Sequence, residues 1–179
     1  MSLGLFIGRL NPPHIWHIKT IEKALIENDK VIVLLGTPIF NNKDNPLSFA
    51  DRKNILKSKF KDRIIILEII DTRSDILWVY NIYKLIYENW FWIKDINLYW
   101  WDFKNDSAYL VLKKHEDKLI NFNINYIENS RSESYVQYNG NDYQVSATNL
   151  RNALNDKNYD LVKKFCDKDT FEIIKSNFS

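Results

Sequence analysis

Cysteine, glycine, proline and long uncharged runs are all scarce in this chain of 179 residues. The single cysteine, Cys166, excludes an internal disulfide framework and a zinc site built on cysteines, so a cytoplasmic setting is the expectation. The longest uncharged stretch, residues 31–42, has 12 residues. A membrane-spanning helix needs about 18. No basic region precedes the apolar N-terminus, so neither a signal peptide nor a membrane partner is expected.

Neither sign of charge dominates the composition. Lysine and arginine number 25 against 23 acidic residues, a net charge of +2, so a nucleic-acid binder working through bulk charge is not expected. The length fits a single domain over residues 1–179 with a helical C-terminal part from about residue 146. Aromatic residues make up 15%, and their surplus around residues 90–92 is compatible with a homo-oligomer interface as well as with core packing.

Apolar, β-branched runs alternate along the chain with segments of helical periodicity. Strands are expected at residues 3–7, 30–35, 63–70, 96–101 and 119–127. Helices are expected at 15–26, 48–60, 75–92, 106–114, 146–154, 159–165 and 170–176, with 128–143 as a long loop. Strands that are apolar on both faces predict an α/β fold, a Rossmann-like doubly wound parallel sheet with helices on both faces. Ligands bind such sheets beyond the strands' carboxyl ends, which points to residues 8–14 and 101–107.

Two common nucleotide fingerprints, G-x-G-x-x-G and G-x-x-x-x-G-K-[ST], are missing, as is the nucleophile elbow G-x-S-x-G. The first strand is followed instead by GRLNPPHIWH, residues 8–17. His14 and His17 stand three apart at a predicted helix start, so both rings are expected on one face. Free N–H groups at the helix start and the planar fork of Arg9 favour a phosphate there. The alternative is a solvated helix start with two incidental histidines.

A second cluster, SATNLR at residues 146–151, also opens a predicted helix. Ser146 and Thr148 bring hydroxyls to the helix start, and Arg151 follows about one turn in, a set that suits phosphate. A simple N-cap is the alternative for this cluster alone. Arginine is scarce, at six residues against 19 lysines, which favours a need for fork geometry at Arg9 and Arg151 over mere charge.

These two motifs resemble the two signatures of the nucleotidylyltransferase superfamily, G-[RTS]-F-x-P-x-[HT]-x-G-H and I-S-[ST]-T-x-x-R. With Arg9 in its position, the chain is most similar to nicotinamide-mononucleotide (NMN) adenylyltransferases of the archaeal type and to the adenylyltransferase half of Nudix-linked proteins. Three further segments resemble that group: NPLSFADR at residues 45–52, DILWV at 75–79 and KNDSAYL at 104–110.

The resemblance implies an enzyme of NAD biosynthesis that joins the AMP part of ATP to NMN by direct attack on the α-phosphorus. Mg²⁺ would be carried by ATP. The implied catalytic residues are His14, His17, Arg9 and Arg151. The implied ATP- and phosphate-binding residues are Gly8, Ser146, Thr148 and Arg52, and those binding the mononucleotide are Trp78 and Asp75. Trp78 fits equally well as a core aromatic on an amphipathic helix.

The chain departs from the family pattern at three places. Trp16 replaces the glycine before the second histidine, Trp100 or Trp101 replaces a glycine after the fourth strand, and Asn105 replaces an aspartate. Two alternatives therefore accompany the NMN reading. One is the same fold with another acceptor, such as nicotinate mononucleotide, phosphopantetheine or a sugar phosphate. The other is a non-catalytic nucleotide-binding regulator, which Trp16 motivates.

Overall fold

The computed structural model describes residues 1–39, 44–100, 106–119, 121–129 and 134–177. Its strands are Leu3–Gly8 (β1), Lys30–Thr37 (β2), Ile65–Ile70 (β3), Asp95–Trp100 (β4), Asn123–Glu128 (β5), Tyr135–Tyr138 (β6) and Asn141–Gln144 (β7). Its α-helices are Ile15–Glu27 (α1), Phe49–Phe60 (α2), Asp75–Trp90 (α3), Ser107–Lys114 (α4), Ala147–Asn155 (α5), Tyr159–Phe165 (α6) and Lys168–Asn177 (α7). None of the helices described is long and apolar enough to cross a membrane.

Five strands form one parallel sheet in the order β3-β2-β1-β4-β5. The chain runs outward from β1 to β3 and then returns to the other side of β1, which places the switch in strand order between β1 and β4. Ligands of open parallel sheets bind beyond the carboxyl ends of the strands at such a switch. The predicted Rossmann-like parallel sheet is confirmed, with β1 ending at Gly8 opposite Leu35.

Consecutive residues of β4 show that helices cover both faces of the sheet. Trp100 is buried in an apolar cluster with Val79 and Ile82 of α3, whereas the hydroxyl of Tyr99 donates to Glu27 at the end of α1 (2.7 Å). Adjacent strand residues point to opposite faces. The helices α1 and α3 therefore lie on opposite sides of the sheet, as the doubly wound arrangement requires.

The chain divides into two compact units. The sheet unit comprises Met1–Gly8, Thr20–Ile39 and Arg63–Ser130, and the helical unit comprises Arg9–Lys19, Phe40–Asp62 and Arg131–Ser179. Each unit has its own apolar cluster; in the helical unit Leu47 and Ile55 pack with residues from α5, α6 and α7. The prediction of one domain over residues 1–179 stays a prediction.

The prediction of a loop over residues 128–143 is wrong for the second half of this segment, which forms the antiparallel hairpin β6–β7. Its turn is Asn139-Gly140, and both residues have positive φ angles, 51° and 77°. A two-residue turn of this kind needs left-handed backbone at both positions, which asparagine and glycine supply at little cost. The Asn-Gly pair is the signal that the polar composition of the segment concealed.

The remaining boundaries differ by a few residues from those expected, with identifiable causes. Short 3-10 turns at Lys61–Arg63 and Glu116–Leu119 occupy positions assigned to the starts of β3 and β5. The predicted cap of α2 is present as a full capping box. Ser48 Oγ accepts from the Asp51 backbone N–H (3.1 Å), and the Asp51 carboxylate accepts from the Ser48 backbone N–H (3.0 Å).

Candidate active site

The histidine pair caps the start of α1. The backbone N–H of His14, the residue before the helix, donates to Nδ1 of His17 at the third helical position (3.1 Å). This is the contact that a glutamate makes in a capping box, with an imidazole in its place. Because Nδ1 accepts a hydrogen bond, it carries no proton. The proton of the neutral His17 ring is therefore on Nε2, which is a donor.

The two imidazole rings lie against each other. Their centroids are 3.6 Å apart and their planes are inclined by 24°. Burial lowers the pKa of His17 from 6.5 to about 3, since removing a charged ring from water is costly. His14 is buried, at 7% exposure, and His17 is half-buried. The pair consequently presents a neutral His17 near pH 7, whose contribution to anion binding is an N–H dipole rather than a full charge.

The side chain of Asn11 connects the loop between β1 and α1 to the segment that precedes α2 by two hydrogen bonds. Its side-chain nitrogen donates to the Leu47 carbonyl and its side-chain oxygen accepts from the Leu47 N–H, both at 2.9 Å. At 2% exposure the amide is buried, and both of its ends are used. A side-chain amide can donate to a backbone C=O and accept from a backbone N–H at the same time, as the backbone of a neighbouring strand does. Asn11 was not among the predicted site residues, although this residue lies inside the first motif.

Arg52 supports the same loop from α2. Its side chain has 0% exposure; Nε donates to the Ser48 carbonyl (3.2 Å) and Nη1 to the Arg9 carbonyl (2.5 Å). These contacts bind the backbone on which Arg9 stands, and the Arg9 side chain itself is exposed. Direct contact of Arg52 with a phosphate stays a prediction.

The second motif reaches the first through Arg151. Nη1 of Arg151 donates to the Asn11 carbonyl (2.7 Å), and Nη2 donates to the Thr148 hydroxyl (3.3 Å). Ser146 is the N-cap of α5, with Oγ accepting from the Asn149 N–H (3.1 Å). Burial lowers the pKa of Arg151, while the negative charge of Asp44 acts in the opposite direction. The helical unit thus brings a histidine pair, a guanidinium and a helix N-terminus together.

A helix start, imidazole N–H groups and a guanidinium form a set of donors that suits phosphate oxygens. A family model described as cytidylyltransferase-like matches residues 5–153, which includes both motifs. The chain belongs to the cytidylyltransferase-like family. The resemblance to nucleotidylyltransferases that the motifs indicated is therefore confirmed.

Two curated proteins and one solved structure illustrate this membership. The chain is 33% identical over 89 residues to a nicotinamide-nucleotide adenylyltransferase of Caldivirga maquilingensis, covering 46% of this chain and 50% of that protein. It is 35% identical over 88 residues to a nicotinamide/nicotinic acid mononucleotide adenylyltransferase of Acinetobacter baylyi, covering 46% of each. The aligned segment spans about half the length of each of these curated relatives.

The solved structure is a bifunctional NMN adenylyltransferase/ADP ribose pyrophosphatase from Francisella tularensis. Its TM-score is 0.66 at 23% identity, and the match covers 92% of this chain and 44% of that chain. At this identity the likeness supports the fold, a parallel sheet with helices and a helical C-terminal part.

Trp16, which replaces a glycine of the family motif, packs against the apolar cluster of the helical unit. The Nζ atom of Lys19 lies 4.1 Å from the centroid of the Trp16 ring, a cation–π contact. The other departures, at Trp101 and Asn105, lie outside the described residues, as does Lys104 of the third resembling segment.

Gly8, Asp75 and Trp78 belong to the sheet unit. Gly8 ends β1, and Asp75 is the exposed first residue of α3, whose N-cap is Ser74. Trp78 is partly buried and packs against the apolar cluster of this unit, in keeping with the core alternative. Its Nε1 is buried without a hydrogen-bond partner among the described residues, as is Nε1 of Trp100. Buried N–H groups are rarely left unpaired in native proteins, so Trp78 keeps a donor available.

Carboxylates do not gather into a metal site in the part of the chain that the structure describes. No group of three or more histidine, cysteine, aspartate or glutamate side chains there could hold a metal ion. The expectation that Mg²⁺ arrives with ATP stays a prediction.

Proposed function

We propose that this chain is an adenylyltransferase that joins the AMP part of ATP to a pyridine mononucleotide, giving a dinucleotide and pyrophosphate. The observation that carries the proposal is the 2.7 Å contact between Arg151 Nη1 and the Asn11 carbonyl. It links the second signature to the histidine loop within the helical unit. Membership of the family and the names of the curated relatives support the same reaction.

In the proposed reaction, an oxygen of the mononucleotide's 5′-phosphate attacks the α-phosphorus of ATP. A new P–O bond forms, the bond from the α-phosphorus to the bridging oxygen breaks, and pyrophosphate leaves with that electron pair. The attacking oxygen is already anionic near neutral pH, so no general base is needed. The protein contributes positioning and charge stabilisation.

Each residue of the helical unit has a distinct role in this proposal. His17 donates through Nε2 to an α-phosphate oxygen, and His14, stacked on it, contacts the same phosphates. The exposed Arg9 neutralises the charge that develops on the leaving pyrophosphate. Arg151 makes contacts with the protein through two of its nitrogens and has five N–H donors in all, which leaves donors for the β- and γ-phosphates.

The start of α5 completes the proposed ATP site of the helical unit. Ser146 and Thr148, with the free N–H groups of the first turn of α5, hold the β- and γ-phosphates. A contact of Gly8 with the triphosphate stays a prediction. Arg52 acts through the backbone of Arg9. Mg²⁺ enters as part of the ATP substrate, keeping mostly phosphate and water ligands.

The proposed acceptor is NMN or its deamidated form, nicotinate mononucleotide. Both names occur among the curated relatives. The indole of Trp78 stacks on the pyridine ring in this proposal, and Asp75 lies beside it at the start of α3. NMN is the acceptor that the motifs favour.

The test is an assay for dinucleotide formation from ATP, Mg²⁺ and NMN, with nicotinate mononucleotide in parallel. His17→Asn keeps an acceptor for the His14 N–H but moves the donor, and turnover is expected to fall about 100-fold or more. The third histidine provides the matched control, since His115 ends α4 in the sheet unit and His115→Asn is expected to leave turnover unchanged. ATP binding without turnover on either mononucleotide would contradict the proposal and favour the regulator.

Trp78→Ala separates the acceptor from ATP. Loss of a stacking partner is expected to raise KM for the mononucleotide about tenfold or more, with KM for ATP little changed. An equal rise in both KM values would assign Trp78 to the core alone.

A further inference from the structure

The outer face of α3 carries an apolar stripe that nothing in the described structure covers. Of the twelve large hydrophobic side chains that are exposed in the described part of the chain, six fall within residues 76–92: Ile76, Leu77, Tyr80, Tyr87, Phe91 and Trp92. Each is between 44% and 55% exposed. Exposed apolar residues scattered singly are ordinary, whereas a contiguous patch marks a site of interaction.

The stripe is continuous along the helix. Tyr83 lies between its two halves, with ring centroids 6.5 Å from Tyr80 and 5.5 Å from Tyr87. The chain of rings goes on from Tyr87 to Phe91 (6.2 Å) and from Phe91 to Trp92 (5.2 Å). Spacings of three and four residues keep Tyr80, Tyr83, Tyr87 and Phe91 on one side of a helix, and Trp92 follows beyond the end of α3. The buried side chains of α3, among them Val79 and Ile86, point instead into the core of the sheet unit.

The area of the stripe matches one half of a standard interface. A large aromatic side chain covers about 150–250 Å², so four of them at half exposure contribute on the order of 400 Å². With Ile76 and Leu77 the apolar area approaches about 550 Å². A stable interface buries about 800 Å² on each partner, of which roughly 60% is apolar, or about 480 Å².

Four residues of the stripe are arranged symmetrically along the chain. Ile76 and Phe91, and likewise Tyr80 and Tyr87, are related by reversal about the point between Tyr83 and Lys84, whereas Leu77 and Trp92 have no counterparts. Two copies of α3 packed antiparallel therefore match Tyr80 of one with Tyr87 of the other, and Ile76 with Phe91. A twofold interface requires such self-complementarity, and twofold dimers are the commonest protein assemblies. The antiparallel arrangement also opposes the two helix dipoles favourably.

We propose that α3 forms the interface of a homodimer, in which the stripes of two copies pack antiparallel about a twofold axis at Tyr83–Lys84. Lys84 lies next to this axis, and its ion pair with Glu88, at 3.8 Å, places a carboxylate beside the ammonium group there. The proposal depends on no residue of the phosphate site, although Ile76 and Leu77 lie between Asp75 and Trp78, the residues proposed to bind the mononucleotide.

The experiment is a measurement of molar mass by light scattering over a wide range of concentration of the whole chain. The expected mass is twice 21.4 kDa. Tyr80→Arg combined with Tyr87→Arg places like charges opposite each other on both sides of the twofold axis. The dissociation constant of the dimer is expected to rise ~30-fold or more per buried aromatic that is replaced. The matched control is Ile26→Arg, at an 84% exposed position of α1, which is expected to stay dimeric. Circular dichroism checks that each variant is folded.

A charge-exchange test identifies the partner as a second copy. Tyr80→Glu with Tyr87→Glu is expected to be monomeric alone, and mixing it with the double arginine variant is expected to restore a dimer containing one chain of each kind. A monomer at every concentration, a dimer that survives both double variants, or a mixture that stays monomeric would each overturn the proposal. Loss of the dimer in Ile26→Arg would overturn the assignment to α3.

Discussion

The two units of the molecule use their polar side chains in different ways. In the helical unit, Asn11, Arg52 and Arg151 each reach the backbone of a loop. In the sheet unit, Asn97 donates to Asn28 (2.8 Å) and accepts from Asn125 (3.2 Å), so side chains bind side chains. The strand ladder already fixes the backbone of the sheet unit, whereas irregular segments have no ladder. The path of the histidine loop therefore depends on individual side chains.

Removing one of those side chains sharpens the comparison most. Arg52→Ala removes the side-chain donors to the Arg9 and Ser48 carbonyls and opens a cavity where a fully buried side chain stood. We expect the free energy of unfolding to fall by roughly 3–5 kcal/mol, measured by urea titration. Arg73→Ala is the matched change at an exposed position of the sheet unit, with an expected effect below about 0.5 kcal/mol.

An equally small effect at both arginines would contradict the view that Arg52 supports the loop. Retention of the ATP KM in a folded Arg52→Lys variant would support a role through the backbone. A large rise in the ATP KM in that variant, with stability unchanged, would instead favour the predicted contact with a phosphate.

Two asparagines test the same contrast at a smaller scale. Asn11→Asp replaces the donor facing the Leu47 carbonyl with a carboxylate oxygen, and Asn97→Asp does the same opposite Asn28. We expect about 2 kcal/mol of destabilisation at Asn11 and about 1 kcal/mol at the less buried Asn97. Only Asn11→Asp should lower kcat, because the Asn11 backbone also binds Arg151.

The measurement is kcat and KM beside urea titration for both variants, at a temperature where both are folded. If Asn97→Asp lowered kcat as much as Asn11→Asp, general destabilisation would govern turnover, and not the hydrogen bonds between Asn11 and Leu47. Asn11→Ser, which keeps a hydroxyl able to donate or accept but not both ends of the amide, should lie between the wild type and Asn11→Asp.

Periodicity predicted the sheet and most helices because apolar alternation reports directly on burial. The strand order follows less directly: parallel strands and right-handed crossovers limit the topologies, and the switch beside β1 is one of few solutions. The hairpin β6–β7 was missed because its strands are short and polar, with no large apolar face to reveal them. Its Asn139-Gly140 turn was the available signal.

The candidate site was predictable in its residue types but not in its contacts. His14, His17 and Arg151 stand out because histidine and arginine are rare in this chain. Nothing in the sequence reveals that Asn11 pairs with Leu47, 36 positions away, or that Arg52 turns inward to the Arg9 carbonyl. Such contacts depend on where the loops meet in the folded helical unit, and loop paths carry no periodic signal.

At His17 the expected effect is a dependence of stability on pH. Its folded-state pKa, about 3, lies below the ordinary value of 6.5, so the unfolded chain binds more protons between these values. The free energy of unfolding should be fully retained above pH 6.5 and fall as the pH drops toward 3. The slope has a ceiling of ~1.4 kcal/mol per pH unit, and stays below it because the ring keeps some exposure.

Urea titrations of wild type and His17→Asn isolate this contribution, since only the wild type loses it on acidification. If the free energy of unfolding depended on pH in the same way in both proteins, His17 would be hydrated and would titrate near its ordinary pKa. The ring would then be mostly charged at pH 6, and it would not be a neutral Nε2–H donor.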